Sequence, residues 1–190
     1  MSLDGYIAGE GETGFDRLFA WQNEGEVSLP SANPGVSFHM TPENAGVWRS
    51  MLARTGAIVC GRRLFDLTRG WGGKHPLGVP VVVVTHTVPR DWPHPDAPFT
   101  FVTDGLEHAV ARARDLAAGK DVSLTAGDLA QQALNLGLVD ELWVALVPVL
   151  LGGGTRFFGD LVQAPLLLGD PEVMPGRRVT HLRYEVQRGR

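Results

Sequence analysis

Seven residues, Val79-Pro80-Val81-Val82-Val83-Val84-Thr85, constrain the fold more than any other stretch of the chain. β-Branched side chains suit a pleated backbone, because a helix restricts their χ1 rotamers. The run is apolar without alternation, so neither face of it can look at water. Such a strand belongs inside a parallel sheet covered on both sides. Parallel neighbours need crossover connections, usually helices. A chain built on this strand should therefore alternate strands with helices.

The rest of the sequence supplies that alternation. Ala57–Cys60 and Phe99–Val102 read as short buried strands. Thr41 followed by Pro42 signals a helix start, running to about Arg54 with Val47, Met51 and Leu52 inward and Gly56 ending it. Gly61-Arg62-Arg63 opens another helix. Asp104 is expected to cap a third, with Glu107 three residues on and a stripe of Leu106, Val110, Ala113, Leu116 and Ala117, closed by Gly119. Val122–Phe158 reads as strand, tight turn, helix, strand and glycine-rich loop, with Asp128 as a helix cap. Phe15–Gln22 suits one or two helical turns. Glu24–Val36, Gly70–Gly78 and Pro89–Pro98 read as loops, and Ala164–Gly176 as less regular. Met1–Gly9 looks like the end of a strand with a turn at Asp4-Gly5, so either the start lies upstream or this strand is short. Arg178–Gln187 alternates like an antiparallel strand. The expectation is one α/β domain over 1–190, with a mainly parallel central sheet, antiparallel C-terminal strands and helices on both faces.

Composition narrows the class. The chain has 190 residues, 44% hydrophobic and 20% charged, enough to build a sizeable core. Its net charge of −4 and the lack of a dense Lys/Arg run argue against nucleic-acid and anionic-membrane binding. The longest apolar run, Leu142–Leu151, is too short to span a bilayer, and the N-terminal residues lack a secretory pattern. A cytoplasmic protein is expected. The single cysteine, Cys60, lies between apolar residues and reads as a buried thiol. The six histidines show no metal-ligand spacing, so no metal site is expected.

Three strand ends carry the candidate chemistry. Arg62 and Arg63 stand at a strand-to-helix turn, where guanidinium groups can meet phosphate. Thr85-His86 ends the valine strand, and Thr125–Leu129 forms the turn after a third strand. Open α/β sheets bind ligands at this carboxyl edge. Taken alone, Arg62 and Arg63 are equally compatible with a solvated surface pair. Trp21, Trp71 and Trp92 lie in loops and read as packing residues rather than stacking platforms.

MSLDGYIAG, IVCGRRLFDLTRGWGG, VVVVTH, TFVTDGLEHAV and GLVDELWVALVPVLLGGGTRFF occur in this order and are followed by VTHLRYEV. Together they resemble the reductase family of riboflavin biosynthesis, comprising the RibD C-terminal domain and its stand-alone, dihydrofolate-reductase-like relatives. The resemblance implies a three-layer dihydrofolate-reductase-like α/β fold. It also implies an NADPH-dependent oxidoreductase, similar to 5-amino-6-ribosylaminouracil reductase, acting on a small heterocyclic or carbonyl-bearing metabolite as a homodimer. By the same resemblance, Gly61, Arg62, Arg63, Thr85 and His86 would hold the adenosine 2′-phosphate. Ile7 and Ala8 would lie beside the nicotinamide, and Ala126, Gly127, Asp128 and Leu129 would cradle the pyrophosphate. Asp16, Trp21 and Trp71 are the candidate substrate lining, Asp16 being otherwise a surface carboxylate. No catalytic acid is assigned, since hydride transfer asks mainly for positioning and exclusion of water.

Three positions depart from the family pattern. Thr125 and Ala126 stand where paired glycines are usual, and Leu64 stands where a threonine usually follows the arginines. These replacements, together with the Asp128 carboxylate where an anion site disfavours negative charge, motivate an alternative expectation, a chain that binds a nucleotide, ligand or protein partner without turnover.

Overall fold

The uninterrupted valines do lie inside a parallel sheet. The computed structural model describes residues 1–162 and 164–187. In chain order the strands are β1 (Tyr6–Ala8), β2 (Val27–Leu29), β3 (Phe38–Met40), β4 (Thr55–Gly61), β5 (Val81–Val84), β6 (Phe99–Val102), β7 (Asp121–Leu124), β8 (Glu141–Leu146), β9 (Thr155–Arg156), β10 (Glu172–Gly176) and β11 (Val179–Glu185). The α-helices are α1 (Phe15–Leu18), α2 (Pro42–Arg54), α3 (Arg62–Leu67), α4 (Leu106–Ala117) and α5 (Asp128–Asn135). The chain forms two compact units. The first holds Met1–Leu29, Phe38–Trp48 and the chain from Ala126 onward; the second holds Pro30–Ser37 and Arg49–Thr125.

The second unit is organised on a four-stranded parallel sheet in the order β6-β5-β4-β7. Val81, Val82 and Val83 have no exposed surface, as a strand covered on both faces requires. Side chains alternate across a strand, so Val81 and Val83 share one face. They pack there with Ile58, Cys60 and Phe65, backed by Trp71, Trp92, Phe99 and Phe101. Each buried valine contributes roughly 1.5–3 kcal/mol of transfer free energy. Helix α4 packs against β4 and β5, burying Ala109, Val110 and Ala113. Burial pushes the Cys60 thiol up to about 12, consistent with an inert core cysteine.

Several local expectations are corrected. Helix α2 runs directly into β4, and Gly56 lies inside that strand rather than ending the helix. A Cβ at Gly56 would stand 2.4 Å from the Ala117 carbonyl oxygen, so glycine is needed there for the close approach of α4. The fully buried residues of α2 are Asn44 and Ala45, whereas Val47, Met51 and Leu52 are half-buried. Asp104 does not cap α4, whose N-cap is Gly105 at φ 109. The Asp104 carboxylate instead lies 3.5 Å from His108 Nδ1.

The first unit contains the sheet β10-β11-β8, antiparallel throughout. The C-terminal strand therefore forms as its alternation implies. Its partner β10 was hidden by Pro175, which has no N–H to donate and which an edge strand tolerates because the strand's outer side needs no partner. The hairpin of β2 and β3 also lies partly within the expected loop Glu24–Val36. Gly25 permits it: its N–H donates to the His39 carbonyl at 2.9 Å, and a Cβ there would collide with the Met40 backbone.

The other flank of β8 is met by the start of the chain, where Ser2 bridges Val147 in parallel. Asp4 then ties this segment to the glycine-rich loop. Its carboxylate accepts the Gly152 N–H at 2.7 Å and the Leu151 N–H at 3.1 Å. The Ser2 hydroxyl, and then the Gly152 amide, hold the Asp4 carboxyl down at about 2.

Two outcomes follow from these contacts. Gly56→Ala should destabilise the protein by about 1–3 kcal/mol, because the backbone of α4 must move to admit the methyl group; a lowered urea midpoint with unchanged slope checks it. Asp4 ionises near 2 when folded and about 4 when unfolded. Its stabilising contribution is therefore complete above about pH 4 and is lost as pH falls towards 2. Thermal melts of Asp4→Asn should run below wild type at neutral pH, with the gap closing over that acid window.

Candidate functional site

Within the second unit, register fixes the carboxyl edge of the parallel sheet. Gly61 of β4 pairs with Val84 of β5, and Val59 of β4 pairs with Leu124 of β7. The Thr125 N–H continues that ladder by donating to the Val59 carbonyl at 3.1 Å. Gly61-Arg62-Arg63, Thr85-His86 and Thr125 therefore leave three neighbouring strands on one edge, as the sequence implies. Helix α3 has only six residues, so its charge resides in side chains more than in aligned peptides.

The side chains at this edge are unequal. Arg62 Nε–H is shared between the two Asp66 carboxylate oxygens at 2.8 and 2.9 Å, and Arg62 Nη1 donates to the Thr87 carbonyl at 2.8 Å. Thr85, buried at 7% exposure, donates its hydroxyl to that same carbonyl at 2.9 Å and accepts the Thr87 N–H at 3.2 Å. Arg63 and His86 are exposed. Sequence reasoning missed Asp66 and Thr87. The signal for Asp66 was present, since Arg62 and Asp66 stand four residues apart on one helix face.

Ala126, Gly127, Asp128 and Leu129 belong to the first unit, where they open α5. Gly127 adopts φ 91 and ψ −150, a conformation open essentially to glycine alone. It is the N-cap, so Asp128 is the first helical residue and not the cap expected from sequence. Among the described residues no side chain caps the start of α5, whose first-turn amides have no partner within the helix. Neither Thr125 nor Ala126 has positive φ. The loss of paired glycines is thus compatible with the backbone, because the one position demanding glycine has kept it. Leu129 is buried under this turn.

In the same unit, Ile7 and Ala8 lie on β1, which pairs with β9. A Cβ at Gly127 would stand 3.4 Å from Ile7 Cδ1, so the turn and the first strand are neighbours. Gly154, at φ 115, lets the glycine-rich loop pass against the Ala8 carbonyl. Helix α5 is pinned from its other end. Gln131 Nε2 donates to the Asp160 carbonyl at 2.8 Å, and Asn135 Oδ1 accepts the Val162 N–H at 2.9 Å.

The three candidate substrate residues occupy different settings. Asp16 is exposed on α1, beside Arg17 at 3.2 Å. Trp21 is 5% exposed and packs edge-on against His181 and Trp48, with ring centroids 5.0 and 6.2 Å away. That makes it a core residue of the first unit. Burial pushes the His181 imidazole down to about 4, so it is neutral beside Trp21 at physiological pH. Trp71, in the second unit, packs against His75 and Phe99 at φ 50. Its carbonyl accepts Asn33 Nδ2 at 2.7 Å.

Among the described residues, no group of three or more His, Cys, Asp or Glu side chains could hold a metal ion. Among them, too, no helix is long and apolar enough to cross a membrane.

A family model for the RibD C-terminal domain matches residues 1–184. Among solved structures, the fold is similar to that of a protein from Shewanella sp. PV-4, provisionally named for riboflavin biosynthesis. The TM-score is 0.71 at 25% identity, over 99% of this chain and 96% of that one. No curated protein matches significantly. The order of the sequence blocks, the parallel sheet with its antiparallel companions and the match along nearly the whole length agree: the chain belongs to the RibD C-terminal domain family.

Proposed function

We propose that this chain is an NADPH-dependent reductase acting on a small heterocyclic or carbonyl-bearing metabolite. The observation that carries the reading is the carboxyl edge of the parallel sheet. There Gly61-Arg62-Arg63 and Thr85-His86 stand on adjacent strands, where open α/β sheets receive ligands. Family membership supplies the reaction class, and the riboflavin-related name of the structural relative is in keeping with it.

In each unit taken by itself, local features support the reading. Gly127 has the glycine-only conformation that lets backbone approach a pyrophosphate, and the first amides of α5 carry no side-chain cap. Ile7, next to Gly127, offers an apolar surface of the kind a nicotinamide ring packs on. Arg63 and His86 are exposed donors for a phosphate at the sheet edge.

When bound, the nicotinamide cofactor supplies the hydride and the electrons. The chain's own part is binding and orientation. Gly127 and the start of α5 receive negative charge through backbone amides, and β1 contributes apolar surface that excludes water. Of the candidate substrate residues, exposed Asp16 and half-buried Trp71 are within reach of a dissolved metabolite, whereas Trp21 lies in the core. We include in the proposal a homodimer and a cytoplasmic setting, as the resemblance implies. In the first unit Leu150, Val162 and Leu167 are each more than 60% exposed, surface that association would cover.

Titration with NADPH, followed through the five tryptophans, tests the reading. Saturable binding below about millimolar supports it, and its absence overturns it. Gly127→Ala should weaken NADPH binding by about tenfold, since alanine pays on the order of 1–3 kcal/mol to hold that backbone conformation. Replacing Thr125 and Ala126 together by glycine should bring no gain, because neither residue sits at positive φ. Markedly tighter binding by that double variant, together with no turnover by wild type, would favour the reading of a binder without catalysis.

A further inference from the structure

The arginine pair is where nucleotide preference would be expected to reside, and its first member is already engaged. Arg62 Nε–H spans both oxygens of Asp66, and Nη1 reaches across to the Thr87 carbonyl. The Thr85 hydroxyl converges on that carbonyl as well. Two groups expected to bind a 2′-phosphate thus hold the backbone after β5 in place. Moreover, the Asp66 carboxylate places a negative charge beside Arg62 on the same turn.

We infer that Asp66 is a specificity-determining residue which, by pairing with Arg62, reduces the advantage of a 2′-phosphorylated dinucleotide over its unphosphorylated counterpart. The inference rests on the reading of this edge as the adenosine-phosphate site. Arg62 is then a positioning residue for Thr85–Thr87, and Arg63 and His86 make the direct phosphate contacts. The physical basis is Coulombic. The Asp66 carboxylate repels a phosphate held at the same turn, and side chains about one-third to one-half exposed leave that repulsion only partly screened. Removing one unit of negative charge at this range should alter phosphate affinity by about tenfold.

The experiment measures dissociation constants for NADPH and NADH by tryptophan fluorescence, so turnover plays no part in the readout. Asp66→Asn should raise the ratio of the NADH constant to the NADPH constant by about tenfold, almost entirely through tighter NADPH binding. Asp66→Glu keeps a carboxylate within reach of Arg62 and should stay within about twofold of wild type. Asp115→Asn, on an exposed turn of α4, controls for net charge and should leave the ratio unchanged. Circular dichroism confirms that each variant is folded. An unchanged ratio in Asp66→Asn, with both nucleotides bound, overturns the inference and leaves the reductase reading standing. An equal rise in Asp66→Glu or Asp115→Asn also overturns it, since the Arg62 pair would not be the cause. If neither wild type nor Asp66→Asn binds either dinucleotide, the reductase reading and this inference fail together.

Discussion

Burial of β5 on both faces is the constraint from which the second unit follows. Three valines with no exposed surface cannot sit at an edge or in a half-solvated sheet. They demand parallel neighbours, and the parallel neighbours demand the crossovers that α4 and the longer loops provide. Parallelism also brings every strand end to the same edge. The candidate phosphate residues are therefore gathered by the requirement that buries the core, even though they are scattered along the chain.

The first unit solves a different problem. Its short strands β1 and β9 have few ladder bonds of their own, and side chains and glycines supply what is missing. Asp4 fastens the start of the chain to the amides of the glycine-rich loop, and Gly154 lets that loop lie against Ala8. Gln131 and Asn135 hold α5 to the segment around Asp160. These contacts set the surroundings of Gly127 while leaving its following amides uncapped. Here the side chains that support the turn are distinct from the residues that open the helix.

The electrostatics of the sheet edge follow the same division. Arg62 and Asp66 form an exposed pair of the kind that adds little to stability. Its consequence lies in where it places charge, since the guanidinium orders Thr87 and the carboxylate offsets it. Arg63, next in sequence, emerges on the exposed side of the same turn. Two adjacent and chemically identical residues thus differ in exposure through helix geometry alone.

Much of the fold was legible in the sequence because it rests on periodicity and on unambiguous signals. The continuous valine run, the Thr41-Pro42 helix start, the α4 stripe and the alternation after Arg178 each act over a few residues, and each element forms. The candidate site was legible as far as its strand ends. What remained hidden depended on partners remote in sequence. Gly56 and Gly25 read as breakers, yet they sit where another backbone comes too close for a Cβ, which only tertiary packing reveals. Trp21 suited a binding surface as well as a core until His181 and Trp48 closed around it. Asp4 read only as part of a turn, and its partners Leu151 and Gly152 lie far along the chain. The sequence determined a parallel α/β chain of this family with its basic turn on the carboxyl edge, because hydrophobic pattern and strand polarity are local properties. Tertiary structure alone decided which charged groups brace the backbone and which face outward, because that depends on what each side chain meets.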